Sequence, residues 1–478
     1  MLERPPFEPD KDIDSGRSDL GTHGDGIMST LLGKQAVVVG AGISGLAASG
    51  ALADCFERVI VLERDTLPMD TVDRRGTPQG RHLHGLLAGG QRALESLFPG
   101  FSAALQDAGA VPLRVTVDIR YENPGYDPFP QRDFGWNIYS MSRPLAESVV
   151  RRQLTQRANV NLRERCRVEA IVTAGAGGAA TVSGVRFTEG AGAAETLPAE
   201  LVVDASSRGA LTLATLQSSE CPIPMESKIG VDIAYATTVF AIPEEPPGDW
   251  KSVYTLPLAP DGSRGALMMP IEGNRWMLTL AGAHGDVPPG DFDGFMDFAA
   301  QLRTTTIHRA IKGARPLSGV ARFALPESTR RHFDLLDAFP RGLIPIGDAI
   351  CRFNPIYGQG MSVAAQEACV LRSILAARAR AGDPFDGLAA TYFAAIQDTI
   401  DTPWATAAVA DFIYPKTRGE RPPDIEKTLK FGFALNRLAA CDADVHRLMF
   451  EVRHLLKPRS VYRDPALVER VRAVMAEA

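Results

Sequence analysis

Gly40, Gly42 and Gly45 stand in a G-x-G-x-x-G spacing directly after the apolar run Ala36-Val37-Val38-Val39. Such a turn can hold a pyrophosphate. Gly40 permits the tight bend, Gly42 lets phosphate oxygens approach the backbone, and Gly45 lets the next helix pack close to the strand. Ser44 lies within the turn, where the free N–H groups of a helix N-terminus would meet the anion. A second apolar run, Val59-Ile60-Val61-Leu62, ends on Glu63. A carboxylate placed about 20 residues beyond such a turn accepts hydrogen bonds from a ribose. Arg81, His82 and His84 follow in the loop beside that strand. They are candidates for catalytic work; the plainer alternative is a solvated loop whose histidines satisfy backbone carbonyls. No acid or thiol stands at ligand spacing around them, so no metal is expected.

These residues need elements to hold them. Strand, glycine turn, helix and strand within about 30 residues form the βαβ unit of a dinucleotide fold. The spacing predicts a helix over 90–97, then short strands and aromatic loops over 111–139 (Tyr121, Tyr126, Phe129, Phe134, Trp136, Tyr139). Ser142 reads as the N-cap of a helix whose first turn takes Pro144. Runs at 160–162, 168–172 and 182–187 read as a meander. Leu201-Val202-Val203-Asp204 reads as another buried strand ending in an acid. Alternating blocks over 229–242 and 252–280 suggest an antiparallel sheet covered on one face. Their apolar members (Val231, Ile233, Tyr235, Val239; Leu267, Met269; Trp276, Leu278, Leu280) could roof a substrate, with Met268 and Met269 as an adaptable wall or as core. The chain then returns to an apolar strand at 342–346, where Pro345 argues for an edge or a last bonded position. Gly358-Gln359-Gly360-Met361 opens a long helix to about residue 380. The remainder is helical by periodicity, broken at Pro415 and Pro422-Pro423.

The chain has 478 residues, a formal net charge of -6 and 45% hydrophobic residues. That length suits about three domain-sized units with a sizeable core. The charge gives no reason to expect nucleic acid. Six cysteines without metal or redox spacing read as reduced core thiols, which points to the cytoplasm. Residues 1–33 are polar and lack an apolar core segment, so they are no signal peptide. They read as a disordered tail, or as an extension ahead of a start at Met28. No apolar run reaches transmembrane length.

Three separated signals agree in order: Gly40 to Gly45 with Glu63-Arg64, then Asp204 to Gly209, then Gly347-Asp348 with Pro355 and Gly358-Gln359-Gly360-Met361. Together they resemble the FAD-dependent monooxygenases of the para-hydroxybenzoate hydroxylase fold over roughly residues 34 to 380. The segments 78–84, 204–209 and 353–362 look more closely like the branch containing flavin epoxidases of polyether polyketide biosynthesis. There the likeness would run on to around Tyr414.

The resemblance implies an α/β fold: a Rossmann-like FAD-binding domain (34–110, 142–225 and 315–380) with an inserted antiparallel β-sheet substrate domain (111–141 and 226–314) and a C-terminal helical region (381–478). It implies FAD as cofactor and NAD(P)H as electron donor, directly or through a separate flavin reductase. One oxygen atom of O2 would pass, through a flavin C4a-hydroperoxide, to a hydrophobic natural product by epoxidation or aromatic hydroxylation. By the same resemblance Glu63 holds the adenosine ribose with Arg64 beside it, and Arg81 lies near the flavin. Arg143 touches the FAD linker, and Asp348 binds the ribityl or pyrophosphate region. The backbone of Gly358 to Met361 faces the isoalloxazine. Val168, Asp204, Gly347 and Pro355 complete the cofactor set. The last placement also has a physical reason, since a helix N-terminus stabilises the negative charge of reduced flavin. With the cofactor carrying the hard step, no catalytic triad is expected.

Typical hydroxylases have Asp-Gly where this chain has Asp204-Ala205, and the following Ser-x-x-Arg is compressed to Ser207-Arg208. That bears on direct use of NADPH. A halogenase would need a Trp-x-Trp-x-Ile-Pro segment and a lysine near the flavin. The four tryptophans are isolated, and no lysine occurs between Lys34 and Lys228. A prenyl-chain or alkene reductase of the same superfamily is the alternative enzyme, and a flavin-binding sensor the non-enzymatic one. His82, His84 and Tyr235 are the base candidates for phenol hydroxylation, whereas an alkene needs none.

Overall fold

The computed structural model describes residues 31–68, 71–74, 76–245 and 247–476. The expected N-terminal tail lies outside them up to residue 30. Val37, Val38 and Val39 are fully or nearly fully buried, and a buried β-branched run is stable only inside a covered parallel sheet. Strand β1 (Gly33–Val39) is the middle of such a sheet. It pairs on one side with β2 (Phe56–Leu62) and on the other with Leu201–Asp204, while Val160–Arg163 and Leu343–Pro345 form the edges. Pro345 is the last residue of an edge strand, where its missing N–H costs no ladder bond. Helix α1 (Ile43–Leu52) covers one face together with Ala88–Leu97, Arg143–Thr155 and Gly360–Ala377. The other face rests on a three-stranded antiparallel sheet, Cys166–Ala174, Thr181–Glu189 and Ala194–Pro198.

One expected strand has a different partner. Val160-Asn161-Leu162 belongs to the parallel sheet, not to the meander. Helix Arg143–Thr155 crosses over and returns the chain parallel to β2, and a four-residue strand carries no pattern that reveals this.

The large sheet runs in the order Cys351–Arg352, Ala321–Arg331, Glu226–Ala241, Arg275–Ala283, Gly265–Ile271, Ser252–Thr255, Ile119–Glu122. Its first two strands come from the range assigned above to the dinucleotide domain. Val111–Arg114 and Asn137–Ser140 form a separate ribbon. The sheet is buried on both faces, against the expectation of one. Phe240, Trp276, Leu278 and Leu280 face back onto helices Phe292–Ala300 and Thr306–Ile311. Ile233, Tyr235 and Leu325 face forward onto helix Gln397–Asp411, and Met269 packs forward with Ala443–Arg453. Trp276, Leu278 and Leu280 are therefore core, not roof, and Met268 joins them while Met269 faces forward. Alternation separates the two faces of a strand; it does not say which face a later helix will cover.

Glu122 pins the sheet's far edge. Fully buried, it accepts from Arg120 at 3.0 Å, from Thr255 at 2.7 Å, and from the hydroxyls of Thr304 and Thr306. The C-terminal helices break at Pro415 and Pro422-Pro423 as expected. Four cysteines are buried, but Cys369 is half-buried and Cys441 exposed, so not all are core thiols. Among the described residues no helix is long and apolar enough to cross a membrane.

A side chain on Gly45 would run into the Gly40 carbonyl, which is backbone and cannot give way. Gly45→Ala should therefore cost about 1–3 kcal/mol. Gly432, exposed inside helix Ile425–Cys441 with nothing close to its would-be side chain, behaves oppositely. Gly432→Ala should add about 0.5–1 kcal/mol. Thermal unfolding midpoints of the two variants should move in opposite directions from the wild type.

Candidate functional site

The three glycine-bearing segments meet at the C-terminal ends of three neighbouring parallel strands. Gly40 bends with φ +99° and donates to the Leu62 carbonyl at 2.9 Å. A methyl built on it would stand 3.1 Å from the Ala205 carbonyl oxygen. Ala205 N–H donates to Val39, and Ile346 N–H to Asp204, each at 3.0 Å. Gly347, with φ +66°, comes so near Ser44 that a methyl there would lie 2.5 Å from its hydroxyl. Gly40, Gly42 and Ser44 are partly exposed while Ala41, Ile43 and Gly45 are buried, which leaves an open rim at the start of α1.

A charged cluster flanks that rim. Glu147, 3% exposed, takes Arg143 Nε at 2.9 Å and Arg74 Nε at 3.0 Å. Burial alone would raise its carboxyl, but the two guanidiniums hold it below the usual range. Arg74 also reaches Glu63 at 3.1 Å and the Ala41 carbonyl at 3.2 Å. Glu63 itself accepts from Ala41 N at 2.7 Å and Asp65 N at 3.0 Å, so it braces the turn from below. Asp348 is half-buried; burial raises its carboxyl against the pull of Arg143, Arg352 and Arg331. A methyl on Gly360 would lie 3.8 Å from Asp348 Oδ1, which ties the second turn to the first.

The loop carrying the histidines lies on that second turn. A methyl on Gly358 (φ +66°) would stand 3.5 Å from Gly85 Cα, and Leu87 N–H donates to Ser362 Oγ at 2.9 Å. His82 is buried with Nδ1 2.8 Å from Thr237 Oγ1, and burial lowers its pKa to about 4. His84 Nδ1 lies 2.9 Å from the His82 carbonyl and its Nε2 is 3.3 Å from Arg143. Burial and that guanidinium lower its pKa to about 3. Both rings are neutral at physiological pH, and His84 does satisfy a backbone carbonyl. Gln359 is buried with Oε1 unpartnered among the described residues, Met361 packs on the core, and Pro355 is exposed. Tyr235 reaches Asn354 Oδ1 at 3.5 Å.

Four expected residues stand apart. Asp204 is fully buried, and its oxygens are taken by the N–H and hydroxyl groups of Ser206 and Thr212, so it ties a loop instead of facing the rim. Val168 packs into the apolar layer beneath the parallel sheet. Arg64 is exposed and approaches only the Gly76 carbonyl at 3.5 Å. Arg81 is exposed, 3.8 Å from Asp73, on the edge of a cavity of about 640 Å³ lined also by Ser142, Thr237, Glu272 and Arg275. The sequence reading missed Arg74, Glu147, Glu367 and Asp411. The i,i+4 spacing of Arg143 and Glu147 was a signal. So was Asp411, an acid at the unfavourable C-terminal end of an apolar helix.

Glu367 stands behind the Gly347 turn, fully buried, with Oε2 accepting Gly347 N–H at 2.7 Å and Oε1 unpartnered among the described residues. Burial lifts its pKa from an ordinary 4.5 to about 8. The folded state holds this proton where the unfolded chain has lost it. The resulting stability is fully present below the unfolded pKa and is lost as pH rises through the folded one. Glu367→Gln keeps an acceptor for Gly347 and removes the titration. The melting temperature of the wild type, relative to that variant, should fall between pH 5 and pH 9.

No family model matches the sequence. The structure superposes on the flavin-dependent brominase Bmp2 with a TM-score of 0.66 at 13% identity, over 93% of this chain and 98% of that one. It superposes on PqsL, a probable FAD-dependent monooxygenase from Pseudomonas aeruginosa, with a TM-score of 0.58 at 17% identity, over 80% and 97%. These likenesses establish an α/β fold of the FAD-dependent monooxygenase and halogenase type. In sequence, Protein Rv3254 of Mycobacterium tuberculosis (strain ATCC 25618 / H37Rv) is 34% identical over 406 residues, covering 81% of this chain and 82% of that protein. On that identity and coverage, the chain belongs to the same family as Protein Rv3254.

Proposed function

We propose that this chain is an FAD-dependent monooxygenase that transfers one oxygen atom from O2 to a hydrophobic small molecule, by aromatic hydroxylation or alkene epoxidation. NAD(P)H serves as reductant, directly or through a separate flavin reductase. The observation that carries this reading is the meeting of the 40–45, 204–209 and 347–360 segments at one end of the parallel sheet, beside a second sheet with an apolar front.

The residues fit a dinucleotide. A methyl on Gly42 would meet only the ends of Arg143, Arg74 and Glu147 at 3.7–3.9 Å, so the backbone there is open to a phosphate. The buried Gln359 Oε1 has no donor among the described residues. The Gly40–Gly45 amides would hold the pyrophosphate, Arg143 the linker, Asp348 the ribityl chain and the Gly358–Met361 backbone the ring. Glu63 would offer a ribose the lone pair that Ala41, Asp65 and Arg74 leave free. Bound FAD supplies the electron transfer and oxygen activation. The start of helix Gly360–Ala377 would stabilise negative charge placed against it. The apolar layer that Ile233, Leu325 and Phe323 form with helix Gln397–Asp411 would keep water from the reacting substrate. Neutral His82 and His84 hold the 81–85 loop in place, His84 by accepting from Arg143. The free state of all six cysteines agrees with a cytoplasmic enzyme.

Purified protein mixed with FAD should become yellow and retain the flavin through gel filtration. Arg143→Ala should weaken FAD binding roughly ten- to hundred-fold, the worth of a charge-assisted contact. NADPH or NADH oxidation with polyene, terpenoid and phenolic candidates should consume O2 and stop without it. Turnover under anaerobic conditions would make the enzyme an alkene reductase instead. A colourless protein that never takes up FAD would overturn the proposal.

A further inference from the structure

The front of the large sheet carries a polar knot that the proposed oxygen transfer does not by itself require. Asp411, the last residue of helix Gln397–Asp411, is 6% exposed. Its neighbours Ala408 and Phe412 pack with Ile233, Tyr235 and Ile356 in one apolar layer. Its Oδ1 accepts from Tyr357 OH at 2.7 Å and from Asn354 Nδ2 at 3.0 Å. Its Oδ2 is buried with no hydrogen-bond partner among the described residues, and no lysine or arginine there makes an ion pair with it. The knot joins three distant stretches of chain. Tyr235 OH approaches Asn354 Oδ1 at 3.5 Å, and Tyr254 OH approaches the Ile356 carbonyl at 3.4 Å. Both tyrosines come from the sheet, Asn354 to Tyr357 from the loop that leads into Gly358, and Asp411 from the C-terminal helices.

Polarity follows from counting protons. Tyr357 has a single O–H and gives it to Asp411, so its phenolic oxygen has only lone pairs left to offer. Asn354 spends its N–H2 on the same carboxylate. Asn354 and Asp411 are buried, whereas Tyr357 is half-buried, so Tyr357 is the member of the knot that keeps exposed surface. Glu122, by contrast, has both carboxylate oxygens taken, by three hydroxyls and an arginine. Burial lifts the Asp411 pKa to about 6, and its bonds to Tyr357 and Asn354 oppose that rise, so at neutral pH the carboxylate is mainly ionised and accepts.

We propose that Tyr357, with its proton held by Asp411, forms a hydrogen-bond acceptor for a hydroxyl group on an otherwise apolar substrate. The site selects hydroxylated ring or chain compounds over their ethers and bare hydrocarbons. It rests on the oxygenase reading only in taking the space before the sheet as the substrate cleft. Asp411 acts through Tyr357 and is a positioning residue.

The test measures binding of 2-naphthol and 2-methoxynaphthalene by equilibrium dialysis, and FAD binding by absorbance, for wild type, Tyr357→Phe and Asp411→Leu. Wild type should prefer the naphthol by about tenfold, the worth of one hydrogen bond to a polarised acceptor. Tyr357→Phe should keep FAD and lose the preference. Asp411→Leu frees the Tyr357 O–H to donate outward and should move the preference toward the ether. Wild-type protein that binds the naphthol no better than the ether, or a Tyr357→Phe protein that keeps the preference, overturns the inference. Failure to bind FAD overturns the oxygenase reading instead, because dialysis reads the naphthalene pair without flavin.

Discussion

Helix α1 meets the end of β1 with no side chain between them, and the rest of the site depends on that contact. Gly45 lies against the Gly40 carbonyl, and Ala205 closes on the same turn from the neighbouring strand. With α1 drawn in this far, Ser44 touches Gly347, and through Gly347 the turn is coupled to Glu367 on the long helix Gly360–Ala377. Three stretches more than a hundred residues apart in sequence thus share one small volume. The parallel sheet makes this possible, since parallel strands deliver all their C-terminal ends to the same edge.

The second sheet contributes a wall that is packed on both sides. Its back rests on two helices supplied by its own insertion, and its front on the C-terminal helices and the loops of the first domain. That arrangement explains why the front can be both apolar and polar-tipped. The apolar residues pay for burial, while Thr237 and Thr279 bond each other at 2.7 Å and Thr237 also holds His82. The two histidines are then spacers between sheet and turn, and their low pKa values follow from being enclosed.

Much of this was legible in the sequence because it follows local rules. The glycine spacing, the Ser142 cap (which accepts from Leu145 N at 3.3 Å), the edge position of Pro345 and the breaks at Pro415 and Pro422 each depend on a few neighbouring residues. The parts that were not legible depend on what meets what. Val160 to Leu162 could pair with either sheet, and only the crossover helix decides. Asp204 has the position of a ligand-facing acid, yet Ser206 and Thr212 lie close enough to claim both its oxygens. Trp276 and Leu278 alternate correctly but look backward, because the covering helices 292–311 lie on that side. Arg74 sits in a loop with no periodicity, and only the fold brings it to Glu63 and Glu147.

The buried acids separate by how their charge is answered. Glu147 has a guanidinium on each oxygen and Glu122 has hydroxyls on both with an arginine on one, and both are held below their ordinary pKa. Among the described residues, Glu367 and Asp411 each keep one oxygen without a partner. For Glu367 protonation resolves the deficit, since a pKa of about 8 leaves a neutral acid at physiological pH. Asp411, raised only to about 6, stays mainly charged there, held in that state by Tyr357 and Asn354. A desolvated anion with a free oxygen and no neighbouring cation is an expensive thing to keep in an apolar layer. Part of that cost is offset by the two hydrogen bonds the carboxylate accepts, one of which fixes the direction of a half-buried tyrosine's only proton. The acid that resists neutralisation is therefore the one whose position bears on what the cleft will accept.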